Sequence, residues 1–264
     1  MLRQTLAVLV LTGVACSDAK GHDTAVDPTP ALKTEPTVTE PATVEPTAPV
    51  KTSSAAAVTG TVTFDGDIPE RAPVDMSADS NCVDGRPDGL LGHGIIRDGD
   101  GGLADVFIQL TGVPDEKHKA TEPVVLDQRG CSYTPHVFGM IKKQDILIKN
   151  SDATLHNIHA VPKRNKEFNV GMPEKDMQIE KTFKKAEDAI VIKCDVHPWM
   201  KAYAFCLEHP YFAVTGADGS FSLPTEGLPD GDYGVKVWHE VLGETEGTVS
   251  VAGGAGTYDL AWSR

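Results

Sequence analysis

Ala189-Ile190-Val191-Ile192-Lys193-Cys194-Asp195-Val196-His197-Pro198-Trp199-Met200-Lys201-Ala202-Tyr203-Ala204-Phe205 is the stretch from which the rest of the chain can be read. Its first run is β-branched and apolar, and its last alternates aromatic with small residues, so both read as strands. Between them, a hairpin-sized loop carries a thiol, an imidazole and a thioether within the seven residues from Cys194 to Met200. A loop closing two strands brings such heads to one point. Sulfur with imidazole selects copper, zinc or iron–sulfur chemistry over magnesium or calcium.

The flanking sequence has the same strand character. Val58–Phe64 alternates with period two and ends in an Asp65-Gly66-Asp67 turn. A polar, Gly-rich loop follows, then a second alternating run at Leu103–Leu110. Short strands are expected at 124–126, 144–149, 155–161, 178–183, 190–193 and 202–207, and again at 220–223, 233–238, 248–251 and 258–262. One helical turn is expected near Lys184–Glu187. Many short strands split by turn residues specify an all-β protein of sandwich type.

The 264 residues carry a net charge of −14, which argues against a nucleic-acid partner. Residues 1–16 read as an export signal: Arg3 is a thin basic region and Leu6–Val14 an apolar one too short to span a bilayer. Leu11-Thr12-Gly13-Val14-Ala15-Cys16 resembles a bacterial lipobox. The resemblance implies lipidation at Cys16 and anchoring to the membrane of the periplasm or outer surface; plain secretion is the other reading. Residues 17–57 hold Pro, Thr, Glu, Val and Ala without an aromatic, the composition of a disordered tether. An exported chain meets oxidising conditions. With Cys194 taken as a ligand, Cys82, Cys131 and Cys206 cannot all pair. The pairing expected is Cys82–Cys131, with Cys206 a buried thiol.

Two imidazoles, one thiolate and a weak axial thioether make a blue-copper electron-transfer set, so one imidazole is missing from the loop. Asn150-Ser151-Asp152-Ala153-Thr154-Leu155-His156-Asn157-Ile158-His159 supplies it, after a strand and a Ser-Asp turn. With Tyr133-Thr134-Pro135, Ile146–Asn150 and Cys194-x-x-His197-x-x-Met200, residues 131–207 resemble the cupredoxins, the loop being closest to the amicyanin type. The resemblance implies one copper ion, Cu(I)/Cu(II), held by His156, Cys194, His197 and Met200. Zinc is the less favoured metal, because a thioether is an unusual ligand for it. Asn157 is expected to hydrogen-bond across to the Cys194 loop. Pro198 and Trp199 are expected to rim an exposed edge of His197 and form the docking patch for a transient redox partner. His136 and His159 are left outside the site, and His93, His118, His209 and His239 are read as structural.

Phe212–Leu223 with its Asp218-Gly219 turn, then Leu228–Val237 with Pro229-Asp230-Gly231-Asp232, resembles the carboxypeptidase regulatory-like (transthyretin-like) sandwich. Its opening strands match Gly60–Phe64 and Leu103–Ile108. The expected organisation is therefore 58–115 plus 210–264 as one discontinuous sandwich, with a cupredoxin domain at 116–209 inserted; tandem domains are the alternative. No Ser–His–Asp pattern, phosphate loop or dinucleotide fingerprint occurs. The sequence is thus read as a non-enzymatic electron carrier, with copper binding or delivery at the cell surface as the alternative.

Overall fold

The computed structural model describes residues 56–120 and 122–263. The export signal, Cys16 and all but the last two residues of the expected tether lie outside the described residues. The chain opens with β1 (Ala57–Asp65), the short helix α1 (Ser80–Gly85) and β2 (Phe107–Thr111). Next come β3 (Val124–Gln128), β4 (Tyr133–Thr134), β5 (Val137–Ile141), β6 (Asp145–Asn150) and β7 (His156–Val161). They are followed by β8 (Phe168–Met172), β9 (Gln178–Thr182), β10 (Glu187–Lys193) and β11 (Lys201–Leu207). The last run is β12 (Phe212–Val214), β13 (Ser220–Pro224), β14 (Gly231–His239), β15 (Gly243–Val251), β16 (Ala255–Thr257) and β17 (Leu260–Ser263). The fold is all-β and of sandwich type, as expected.

Strand pairing divides the described residues into two lobes. In the inner lobe one sheet runs β5-β11-β10-β7-β8 and the facing sheet β4-β3-β6-β9. In the outer lobe β1 pairs with β13, β16 and β17, and a second sheet runs β12-β2-β14-β15. No strand of β3–β11 pairs with a strand of the outer set. β14 shows why the outer sheet forms: Tyr233, Val235 and Val237 alternate inward with more exposed neighbours, the period-two pattern of a strand with one face on a core. In β10, a register shift between Glu187 and Ile190 coincides with a positive φ at Ala189. Beyond that irregularity Ile190 and Ile192 are both buried.

Each lobe has its own core. Leu126, Ile146, Ile148, Ile158, Phe183, Ile190 and Ile192 fill the inner one. Val62, Leu103, Ile108, Leu110, Leu223 and Val237 fill the outer one. A third cluster joins them, with the Phe107 ring stacked 3.8 Å from that of Phe205. Gly139 of β5 makes this joint possible: a Cβ there would lie 2.3 Å from the Phe212 ring and 2.9 Å from Phe107.

Two local expectations are corrected. Lys184–Ala186 is irregular and Glu187 begins β10, so no helical turn forms there. The buried Glu187 carboxylate instead receives the backbone N–H groups of Lys163, Arg164 and Asn165, a loop-fixing role. The helix lies at Ser80–Gly85, capped by the Asp79 carboxylate accepting from Asn81 N at 2.9 Å. Its surroundings, assigned from sequence to the outer sandwich, pack inward: Met76 and Cys82 belong to the inner core, with Val74 and Leu90 against it.

Candidate metal centre

The loop between β10 and β11 is closed by its own backbone: Met200 N donates to His197 O at 2.9 Å, and Cys194 N to Met200 O at 3.2 Å. His197 N donates to Cys194 Sγ at 3.3 Å, which orients the sulfur. His156 opens β7, which pairs antiparallel with β10. That pairing brings the two distant segments together. His156 Nδ1 lies 2.9 Å from His197 Nδ1, and Cys194 Sγ lies 3.8 Å from His197 Nδ1. One donor atom from each of the three residues falls within 4.8 Å of the others, and all three residues are buried. Met200 is 1% exposed in the same core, tied to the loop through its backbone.

The other nitrogen of each imidazole is occupied. His156 Nε2 meets Asp152 Oδ2 at 3.0 Å, and His197 Nε2 meets Asp79 Oδ2 at 3.2 Å. A carboxylate behind each ring fixes its orientation and leaves both Nδ1 atoms facing inward, the arrangement that metal-ligating histidines adopt. Asp152 is itself held by the backbone N–H groups of Gly130 and Cys131, at 2.7 and 2.8 Å. Asn157 bridges the strands: its Oδ1 accepts from Asp195 N at 2.7 Å and from the Cys194 thiol at 3.2 Å.

The site is strongly polarised. Burial disfavours the charged His156 imidazole, but hydrogen bonds to Asp152 and Cys194 outweigh it and hold the group at about 9. Burial also works against a Cys194 thiolate, yet the hydrogen bond with His156 and those from the surrounding backbone bring the thiol below its ordinary value. His197 goes the other way, pushed down by burial and by the His156 charge beside it. Without metal, the site thus favours a protonated His156 and eases ionisation of Cys194, while His197 is held toward its neutral form.

The surface of the site differs from the sequence reading. His197 is only 3% exposed, so it presents no edge to solvent. Asp79 lies against its Nε2, and Cys82 Sγ is 3.6 Å from the same atom. Cys82 is bonded to Cys131, and Cys206 is a buried free thiol. Trp199 is half-buried against the inner core and donates its Nε1–H to Cys131 O at 3.0 Å. Of the expected docking pair, only Pro198 is exposed, beside Val196 at 47%. The reason is the α1 strap: Asp79 also accepts from Thr154 Oγ1 at 2.5 Å, pinning this segment over the ring.

His159, left outside the site, stays outside: its Nδ1 meets Asp195 Oδ2 at 2.9 Å and its Nε2 meets Glu167. Asp152 and Asp79 are the residues that sequence reading missed. Asp152 had a signal, a carboxylate four residues before a candidate ligand on a turn. Asp79, 77 residues before His156 in a polar loop, had none.

No family model and no curated protein matches the sequence. Solved structures similar to part of the chain include a copper-containing enzyme, a purple cupredoxin and amicyanin. The Cu-containing nitrite reductase (NirK) from Thermus scotoductus SA-01 is 21% identical over 37% of this chain, at a TM-score of 0.31. The chain covers only 25% of that enzyme's length. A purple cupredoxin from Nitrosopumilus maritimus is 17% identical over 31% of this chain and 98% of its own, at 0.28. A methionine-to-alanine mutant of amicyanin, in the Cu(I) form, is 18% identical over 38% of this chain and 97% of its own, at 0.29. The reading of the chain as a non-enzyme is corrected here: the neighbours include a copper nitrite reductase, which is an enzyme.

Proposed function

We propose that this chain binds a single copper ion through His156, Cys194, His197 and Met200 and passes single electrons to and from redox proteins. The observation that carries the reading is the convergence of two Nδ1 atoms and a thiol, drawn from β7 and the β10–β11 loop, within 4.8 Å. The donor set fits the ion: two imidazoles and a thiolate, with a thioether in the same loop, suit copper better than zinc. A copper ion bound there supplies a Cu(I)/Cu(II) couple.

The protein's own part is to hold the donors still. Asp152 and Asp79 fix the ring planes, Asn157 ties the Cys194 loop to β7, and burial keeps water from the sulfur. A rigid set of donors limits rearrangement between oxidation states. A partner meets the loop at exposed Pro198 and Val196 rather than at a histidine edge.

Export, with anchoring by a lipid on Cys16 and a tether over 17–57, is part of the same proposal and rests on the sequence alone. So does the regulatory-like identity of the outer lobe. Strand pairing supports a cupredoxin lobe carried between β2 and β12, whose partners Gln109 and Phe212 face each other across the insertion.

The test is an absorption spectrum of the purified chain after addition of Cu(II). An intense visible thiolate-to-copper band, lost in Cys194→Ser, is the expected result. A colourless protein that retains zinc instead overturns the copper reading. A blue protein that yields its metal readily to a chelator favours copper delivery over electron carriage.

A further inference from the structure

A second constellation of ligating groups lies where the two lobes meet. His93 comes from the loop after α1, His136 from the turn between β4 and β5, and Glu240 from the turn after β14. One ligand atom from each falls within 4.8 Å of the others. His136 Nε2 is already 3.0 Å from Glu240 Oε1, and their side chains are only 11% and 9% exposed. The His93 ring stacks on His136 with centroids 4.0 Å apart.

We propose that His93, His136 and Glu240 form a second metal site, taking a first-row divalent transition ion with a coordination position left open to water or a small anion. Two imidazoles and one carboxylate are the donor set of open-position zinc and iron sites. The outer nitrogen of His136 is set for this, its Nδ1 bonding to Lys201 O at 2.9 Å, and the Trp199 backbone hydrogen-bonds the His93 ring. A backbone carbonyl on Nδ1 is how a ligating histidine is aimed through Nε2. Glu240 is held in turn by a hydrogen bond with Tyr203.

An ion pair between His136 and Glu240 explains two of the three residues without a metal. It does not explain His93, a second imidazole stacked on the first. Bonds of about 2.0–2.2 Å require ligand atoms closer than the present outer limit. His93 is the exposed member, so it is the one that swings inward.

The site is separable from the first centre by experiment. In the full chain carrying His156→Ala and Cys194→Ser, equilibrium dialysis against Zn(II) is expected to find one bound equivalent. Adding His93→Ala is expected to weaken it at least tenfold, and Glu240→Gln to do the same. His93 is exposed, so its removal leaves the fold intact, which metal-free thermal unfolding checks. A double variant that binds no zinc, or binding indifferent to His93→Ala, overturns the proposal. Neither result depends on whether the Cys194 site takes copper.

Discussion

The two lobes bury a histidine to the same depth and give it opposite chemistry. His156 of the inner lobe is 0% exposed and His239 of the outer lobe 1%. His156 faces Asp152 and Cys194 and holds its proton to about 9. His239 is pushed down to about 4 by burial, and its Nδ1 accepts from Val241 N and Leu242 N at 3.2 and 3.3 Å. Partners, rather than depth, decide whether a buried imidazole is charged. The inner lobe sets carboxylates behind its rings; the outer lobe uses the ring as a neutral acceptor that stops a turn.

The largest test of this contrast asks whether the lobes are energetically distinct. Phe107→Ala removes the ring stacked on Phe205 and is expected to cost about 3–5 kcal/mol in denaturant unfolding. The visible spectrum of the copper-loaded protein is expected to stay unchanged. A changed spectrum would make the joint part of the centre.

A second test uses pH on the metal-free protein. His239 is depressed in the fold, so the unfolded chain takes up its proton first as pH falls below about 6.5. Its contribution is present above that value and lost toward pH 4, a change of at most about 3 kcal/mol. His156 is raised, so its contribution is full below about 6.5 and is lost as pH rises through about 9. Unfolding free energies across pH 4–9 are expected to fall at both ends. His239→Gln lowers the slope of the acid limb, which His93 shares, and Asp152→Asn that of the alkaline one. A limb that keeps its slope in its variant refutes the assignment.

The smallest expected effect is at Asp79. Asp79→Asn keeps a hydrogen-bond acceptor near His197 Nε2 and removes the charge, a difference of about 1 kcal/mol between charged and neutral hydrogen bonds. Less support for the oxidised ion is read as a raised reduction potential, measured by titration. An unmoved potential means that Asp79 only covers the ring.

Much of this was legible from residues. Periodicity in Val58–Phe64 and Tyr233–Trp238 marks strands because each packs one face on a core. Cys194-x-x-His197-x-x-Met200 is legible because the whole loop is local. The convergence of His156 with it is what the cupredoxin resemblance implies, from ligand type, order and spacing. What was hidden is what chain-distant contacts create. Asp79 reaches His197 from 118 residues away, and nothing in a polar loop announces that. The α1 helix was missed because its six residues are too few for a hydrophobic period, and its boundary is set by one carboxylate cap. Trp199 reads as a surface aromatic because it flanks a histidine whose edge is expected to face solvent; that edge is covered, and Trp199 is half-buried with its Nε1–H on Cys131 O.

The strap over His197 also bears on where this molecule can be cut. Residues 116–209 include all four candidate donors, yet they omit Asp79 and Cys82. A fragment trimmed to those borders would leave Cys131 without its bonded partner and open one wall of the pocket to water. The inner lobe is therefore not a detachable cassette: its finishing piece is donated by chain that precedes it.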